Sequence, residues 1–136
     1  MLSVLIADDY EIIRTGIKYI LQEEFALAEI GEAFDTASLI EMASVQTWDL
    51  IISDISMPGG GGLVALKKIL EKNPDQKVLI ITIYPEEQYA IRVIKDGAYG
   101  FLNKDTAPDE LITAVKTILS GQRYLPPATA AKMPNI

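Results

Sequence analysis

The chain has 136 residues, 49% of them hydrophobic, which is enough to fill the core of one domain and too much for a disordered chain. Twelve basic against nineteen acidic residues leave a net charge of −7, so sequence-independent attraction to nucleic acid or to an anionic membrane is excluded. With no cysteine and no histidine, disulfides, thiol nucleophiles, imidazole bases and soft metal sites are also excluded, and any metal must be hard and oxygen-bound.

The first predicted strand runs from Leu2 to Ala7 and meets Asp8 and Asp9 at once. That apolar stretch is too short for a signal sequence, and no later one reaches membrane-spanning length, so a soluble cytoplasmic protein is expected. Ile13, Ile17, Ile20 and Leu21 recur at helical spacing, and a second β-branched and aliphatic run follows from Leu27 to Ala33. Asp35 or Thr36 can cap a weaker helix centred on Leu39 to Ala43, before a third strand from Leu50 to Ser53 that ends in Asp54. Four consecutive glycines, Gly59 to Gly62, lead to another weak helix at Leu66 to Leu70. They read as a permissive solvent loop.

The fourth strand runs from Val78 to Ile81 and is followed by Thr82. Tyr89, Ala90, Val93 and Ile94 mark the next helix, closed by Gly97, and Gly100 to Leu102 form a fifth strand shortly before Lys104. Thr106 with Pro108, Asp109 and Glu110 opens the last predicted helix, whose apolar stripe is Leu111, Ala114, Val115, Ile118 and Leu119, with Gly121 after it. Beyond Gly121 the periodicity is lost, so residues 1–121 read as the domain and 122–136 as a linker or tail.

Strict alternation of strand and helix demands parallel strands joined by right-handed crossovers. The expected fold is a doubly wound α/β domain: a five-stranded parallel sheet, in flavodoxin-like order 2-1-3-4-5, flanked by five helices. In that order ligands sit beyond the carboxyl ends of strands one and three, where the winding reverses. Asp8, Asp9 and Asp54 then meet at one edge, a crowding that calls for a cation. With only oxygen ligands on offer, Mg²⁺ is the natural candidate. Thr82 and Lys104 add a hydroxyl and an ammonium to the same rim, and both suit a phosphoryl group. Taken singly, the aspartates could be helix caps, Thr82 a plain strand residue and Lys104 a surface lysine. Their convergence on one edge favours chemistry.

Four blocks carry a resemblance. Ala7-Asp8-Asp9-Tyr10, Ser53-Asp54-Ile55-Ser56-Met57-Pro58-Gly59, Ile81-Thr82, and Gly97 through Lys104-Asp105 resemble the receiver domains of two-component response regulators. Lys104-Asp105 and the ending Gly121-Gln122-Arg123-Tyr124-Leu125 look most like the NarL/LuxR type, whose receivers usually precede a helix-turn-helix DNA-binding domain. The resemblance implies that Asp54 is the phosphoacceptor for a sensor histidine kinase. It further implies that Asp9, Asp54 and the Ser56 backbone carbonyl bind Mg²⁺ directly, with Asp8 acting through a water. Lys104 and Thr82 would hold phosphoryl oxygens, and Thr82 with Phe101 would form the switch, Tyr99 lying on the same strand face as Phe101. Such a receiver modifies itself and turns over no substrate. It dimerises when phosphorylated and reaches DNA only through an output domain outside this chain.

Three departures from the family pattern stand out. The glycine run replaces larger residues, Ile83 and Tyr84 follow Thr82 and would slow hydrolysis of the aspartyl phosphate, and Asp105 stands where most receivers have a proline in cis linkage. A cis bond before a non-proline residue costs about 3 kcal/mol and is not to be inferred from sequence. Three other functions compete. A haloacid dehalogenase-like phosphatase wants a second aspartate two residues after the nucleophile, where Ser56 stands. A flavin or nucleotide site would be repelled by Asp8-Asp9, and a phosphorylation-independent pseudo-receiver would lack the full set of five residues.

Overall fold

Continuous apolar runs bury both faces of a strand, and strands of this kind form the centre of this molecule. In the computed structural model, which describes residues 1–106 and 108–133, the strands are β1 (Leu2–Ala7), β2 (Leu27–Ala33), β3 (Leu50–Ser53), β4 (Val78–Thr82) and β5 (Gly100–Asn103). They make one parallel sheet in the order β2-β1-β3-β4-β5, as expected. The last two strands each run one residue further than predicted, because Thr82 pairs with Asn103. The helices are α1 (Glu11–Glu24), α2 (Thr36–Val45), α3 (Gly61–Lys72), α4 (Glu86–Lys95), α5 (Pro108–Leu119) and α6 (Pro127–Lys132). Among the described residues, no helix is long and apolar enough to cross a membrane.

Side chains alternate across the sheet and feed two cores. Leu5, Ile51, Ile80 and Phe101 pack with Leu39, Leu66 and Val93 of α2, α3 and α4. Val4, Ile6, Ile52 and Leu102 pack with Leu21, Leu111 and Val115 of α1 and α5. Trp48 closes the bottom of the first core: its indole N–H donates to the Met42 carbonyl at 3.1 Å, and the buried Gln76 amide satisfies its backbone N–H and carbonyl at 3.0 and 2.8 Å.

The sixth helix corrects the expectation of five. Its sequence, Pro127-Ala-Thr-Ala-Ala-Lys, has no large apolar residue and so no legible stripe, yet it starts with a proline at its first turn and packs against α4. Tyr99 is a second correction. It lies before β5 begins, so strand alternation does not govern it; Phe101 joins the first core and Tyr99 packs against the second. Asp35 is the α2 cap: its carboxylate accepts from Ser38 N–H at 2.7 Å while the Ser38 hydroxyl accepts from the Asp35 N–H at 3.2 Å. That arrangement, the Ser38 hydroxyl first and its N–H second, holds the Asp35 carboxyl below its ordinary range. Gly97 and Gly121 close α4 and α5 as expected. The opening of α5 by Thr106 involves Ala107, outside the described residues.

Candidate functional site

Strand register brings the chemistry to one edge. Ala7 pairs with Ser53 and Thr82 with Asn103, so the residues that follow emerge together. The ladder continues past the strands: Asp54 N–H donates to the Ala7 carbonyl at 3.0 Å and Lys104 N–H to the Thr82 carbonyl at 2.8 Å. The carboxylates of Asp8, Asp9 and Asp54 consequently lie within 4.8 Å of one another. Asp8 and Asp54 are 2% and 5% exposed, whereas Asp9 faces solvent.

Lys104 Nζ sits between the two buried carboxylates, 2.7 Å from Asp8 Oδ2 and 2.9 Å from Asp54 Oδ2. Burial pulls this ammonium toward neutrality, but hydrogen bonds to Asp54 and Asp8 and the charges of both outweigh it and raise it above the ordinary lysine value. Lys104 is therefore no free surface lysine. The aspartates are not caps either: Tyr10 and Gly60 hold the cap positions of α1 and α3, neither with a side-chain capping bond. Instead Asp8 Oδ1 accepts from Tyr10 N–H at 2.9 Å, and Asp54 Oδ1 from Ser56 N–H at 3.3 Å. The Arg14 guanidinium, held by Glu32 at 3.1 Å, donates to the Asp8 carbonyl at 2.6 Å and braces the turn.

Thr82 is fully buried at the end of β4, where its Oγ1 accepts from Tyr84 N–H at 3.3 Å. Tyr84 is tied at two further points: Ser56 Oγ donates to its hydroxyl at 3.1 Å and Asn103 Nδ2 to its carbonyl at 3.1 Å. Ile83 between them is 67% exposed. Phe101 is fully buried one strand away. The Lys104–Asp105 peptide is trans, there being no cis bond among the described residues.

The glycine run is not a permissive loop. Gly61 and Gly62 are buried in the first turn of α3, and a Cβ on Gly62 would overlap the Asp54 carbonyl while one on Gly61 would overlap that of Ile55. The loop is anchored by Thr36, whose Oγ1 accepts from Gly61 N–H at 2.8 Å and whose N–H donates to the Pro58 carbonyl at 2.9 Å. Close backbone approach, in addition to turn geometry, requires glycine here. Thr36, Arg14 and Asn103 thus support the site, although sequence reading assigned them no part in it. For Thr36 and Asn103 nothing in the local pattern marks them, because their partners are distant in sequence.

The donor set of two buried and one exposed carboxylate, with the Ser56 carbonyl nearby in sequence, is hard oxygen throughout. Three carboxylates face a single ammonium, so the site is short of positive charge and fits a hard divalent cation.

The comparisons with known proteins agree with this arrangement. A family model described as the response regulator receiver domain matches residues 4–116. The response regulator UvrY of Escherichia coli (strain K12) is 35% identical over 133 residues, 98% of this chain and 61% of that protein. The chain thus spans about three fifths of the length of the curated relatives it matches. A LuxR-family two-component response regulator from Aurantimonas sp. SI85-9A1 superposes with a TM-score of 0.90 at 27% identity, covering 98% of this chain and 96% of that one. RcsB is similar in two solved states. Its isolated receiver domain from Salmonella enterica serovar Typhimurium, with the phosphomimetic BeF₃⁻, has a TM-score of 0.85 at 26% identity, covering 96% of each chain. RcsB dimers bound to two parallel DNAs give 0.86 at 26%, covering 99% of this chain and 68% of that one. The clustered aspartates, the lysine between them and the threonine one strand over therefore belong to a receiver domain of the two-component response regulators, of the NarL/LuxR type.

Proposed function

We propose that Asp54 is the phosphoacceptor, and that the chain couples its phosphorylation to a change of surface. The observation that carries this reading is Lys104 Nζ bridging Asp8 and Asp54 at 2.7 and 2.9 Å, on an edge where a third carboxylate and a buried threonine also end. A receiver of this kind is not a conventional enzyme; it catalyses only its own phosphorylation and dephosphorylation.

An Asp54 carboxylate oxygen attacks the phosphorus of a phosphohistidine on a sensor histidine kinase. The new P–O bond forms as the P–N bond breaks, the electron pair leaves on the imidazole, and an aspartyl phosphate results. The chain has no histidine, so the donor is another molecule. Asp9, Asp54 and the Ser56 carbonyl would hold Mg²⁺, with Asp8 acting through a water. When bound, the ion offsets the charge gathered between nucleophile and phosphoryl oxygens. Lys104 transfers its hydrogen bond from the Asp54 carboxylate to a phosphoryl oxygen. Thr82 turns its hydroxyl from the Tyr84 N–H and donates to another. Tyr84, tied to Ser56 beside Asp54, narrows the approach of water and prolongs the acyl phosphate.

The buried Phe101 shifts with Thr82, altering the face made by α4, β5 and α5. The RcsB dimers on DNA support the further reading that the phosphorylated chain dimerises and works through a DNA-binding output domain beyond residues 122–136. With its net charge of −7, the chain itself does not grip DNA. The second aspartate of a dehalogenase-type phosphatase is replaced by Ser56, whose side chain is engaged by Tyr84. Borohydride reduction of the phosphorylated protein followed by peptide mapping tests the assignment. Homoserine is expected at position 54 alone; homoserine elsewhere, or none in protein that has taken up phosphate, would refute it.

A further inference from the structure

Asp8 and Asp9 are neighbours in the chain but are held very differently. Every polar group of Asp8 has a partner: its N–H donates to the Ala33 carbonyl at 3.1 Å, Oδ1 accepts from Tyr10 N–H at 2.9 Å, and Oδ2 meets Lys104 Nζ at 2.7 Å. Its carbonyl accepts from Arg14 Nη1 at 2.6 Å. The Asp9 side chain faces solvent, and among the described residues no hydrogen bond or ion pair holds it. Where its carboxylate points therefore depends on the backbone that carries it. The peptide that joins Asp8 to Asp9 is itself held, among the described residues, by the single hydrogen bond from Arg14.

Arg14 is in turn fixed. Its side chain, on α1, is only 13% exposed, and Nε donates to Glu32 Oε1 at 3.1 Å while Nη1 reaches the Asp8 carbonyl. Lys18, one helical turn on, holds the other Glu32 oxygen at 3.0 Å, and Glu32 sits in β2 opposite Ile6 of β1. The planar guanidinium thus spans two acceptors at once, one on β2 and one at the end of β1. A lysine ammonium has no such fork.

We propose that Arg14 is a positioning residue that aims Asp9 and thereby makes the acidic edge selective for Mg²⁺ over Ca²⁺. The inference rests on the proposed metal role of this edge. Mg²⁺ demands near-octahedral coordination with short bonds, whereas Ca²⁺ accepts longer and less regular ones. A carboxylate released from its aim therefore penalises the smaller ion far more than the larger. Electrostatics alone predicts the opposite sign: the guanidinium is a positive charge beside the site, and its removal would strengthen the binding of any divalent cation. The direction of the change separates the two effects.

Amide NMR titration of the full chain with MgCl₂ and, separately, with CaCl₂ reads both affinities at residues 8–10 and 54–56. Urea unfolding verifies that each variant is folded. Arg14→Met is expected to weaken Mg²⁺ binding on the order of 10-fold, the usual scale for a group that orients a metal ligand, and to change Ca²⁺ binding less than about 2-fold. Arg14→Lys keeps the charge without the fork and should lose Mg²⁺ affinity nearly as far. Glu32→Ala leaves the guanidinium in place without its anchor and should weaken Mg²⁺ binding about 3-fold, with Ca²⁺ again little changed. Tighter Mg²⁺ binding in Arg14→Met, wild-type affinity in Arg14→Lys or Glu32→Ala, or an equal loss for both ions would overturn the positioning role and leave the metal site standing. A folded wild type whose amides do not respond to Mg²⁺ would refute the metal reading, and the selectivity with it.

Discussion

Lys104 stands between two carboxylates that are almost wholly withdrawn from water, and its removal leaves them facing each other. Breaking a fully buried pair costs about 3–5 kcal/mol; because this edge opens to solvent at Asp9, about 1–3 kcal/mol is expected for Lys104→Ala. Urea unfolding measures the loss, and Mg²⁺ should restore more stability to the variant than to the wild type, since the cation takes over the counterion role. An unchanged midpoint without Mg²⁺ would mean that the ammonium is not needed to hold the carboxylates together. The proton-bound form of Lys104 is favoured by folding, and so is that of Tyr124, whose phenol burial and then Glu110 push up to about 12. Stability from both is therefore intact below their ordinary values of 10.5 and 10.0 and is lost as pH rises through the raised ones. Alkaline unfolding, with a tyrosinate absorbance step near 12 that Tyr124→Phe removes, is the corresponding observation. The five residues at the ends of β1, β3, β4 and β5 were legible because a buried strand commonly stops at a polar residue, and the carboxyl ends of parallel strands share one edge. Thr36 and Asn103 were illegible for the opposite reason: each acts on a loop more than fifteen residues away in sequence, with no local pattern to show it.

Among the elements, the strands were readable almost to the residue, since the inner strands are short apolar runs buried on both faces, while β2, with Glu29 and Glu32 exposed, still shows as an aliphatic run at the sheet edge. α1, α4 and α5 carried clear stripes. The entry into α3 was misread, because four glycines look like freedom when considered alone and like a requirement once Asp54 and Ile55 are laid against them. Gly62→Ala puts a methyl into the Asp54 carbonyl, which as backbone cannot move aside as a side chain could. The expected cost is about 3 kcal/mol, with the proposed phosphorylation slowed even at temperatures where the variant is folded, because the strain falls on the loop that carries Asp54. Denaturation and the rate of adduct formation check the two parts separately. A variant as stable and as fast as the wild type would show that the loop repacks freely. α6 was missed because a helix of alanine, threonine and lysine has no stripe; it is held by Thr129 and by docking on α4, which only the tertiary fold supplies.

For the molecule as a whole, the sheet order gathers residues from four loops at a single edge, and the same edge leads through the β4–α4 loop to the face covered by the C-terminal segment. The edge that carries Asp54 and the face covered by the C-terminal segment are thus linked through Thr82, Tyr84 and Glu86 within one small domain. The proposed function requires that Asp54 take up a phosphoryl group. Intact mass after incubation with acetyl phosphate decides this most directly, on the wild type with and without Mg²⁺ and on Asp54→Ala. A single phosphoryl adduct that requires Mg²⁺ and is missing from the variant is the predicted result. A folded wild type that remains unmodified by acetyl phosphate and by a cognate kinase, or an adduct that persists in Asp54→Ala, would contradict it.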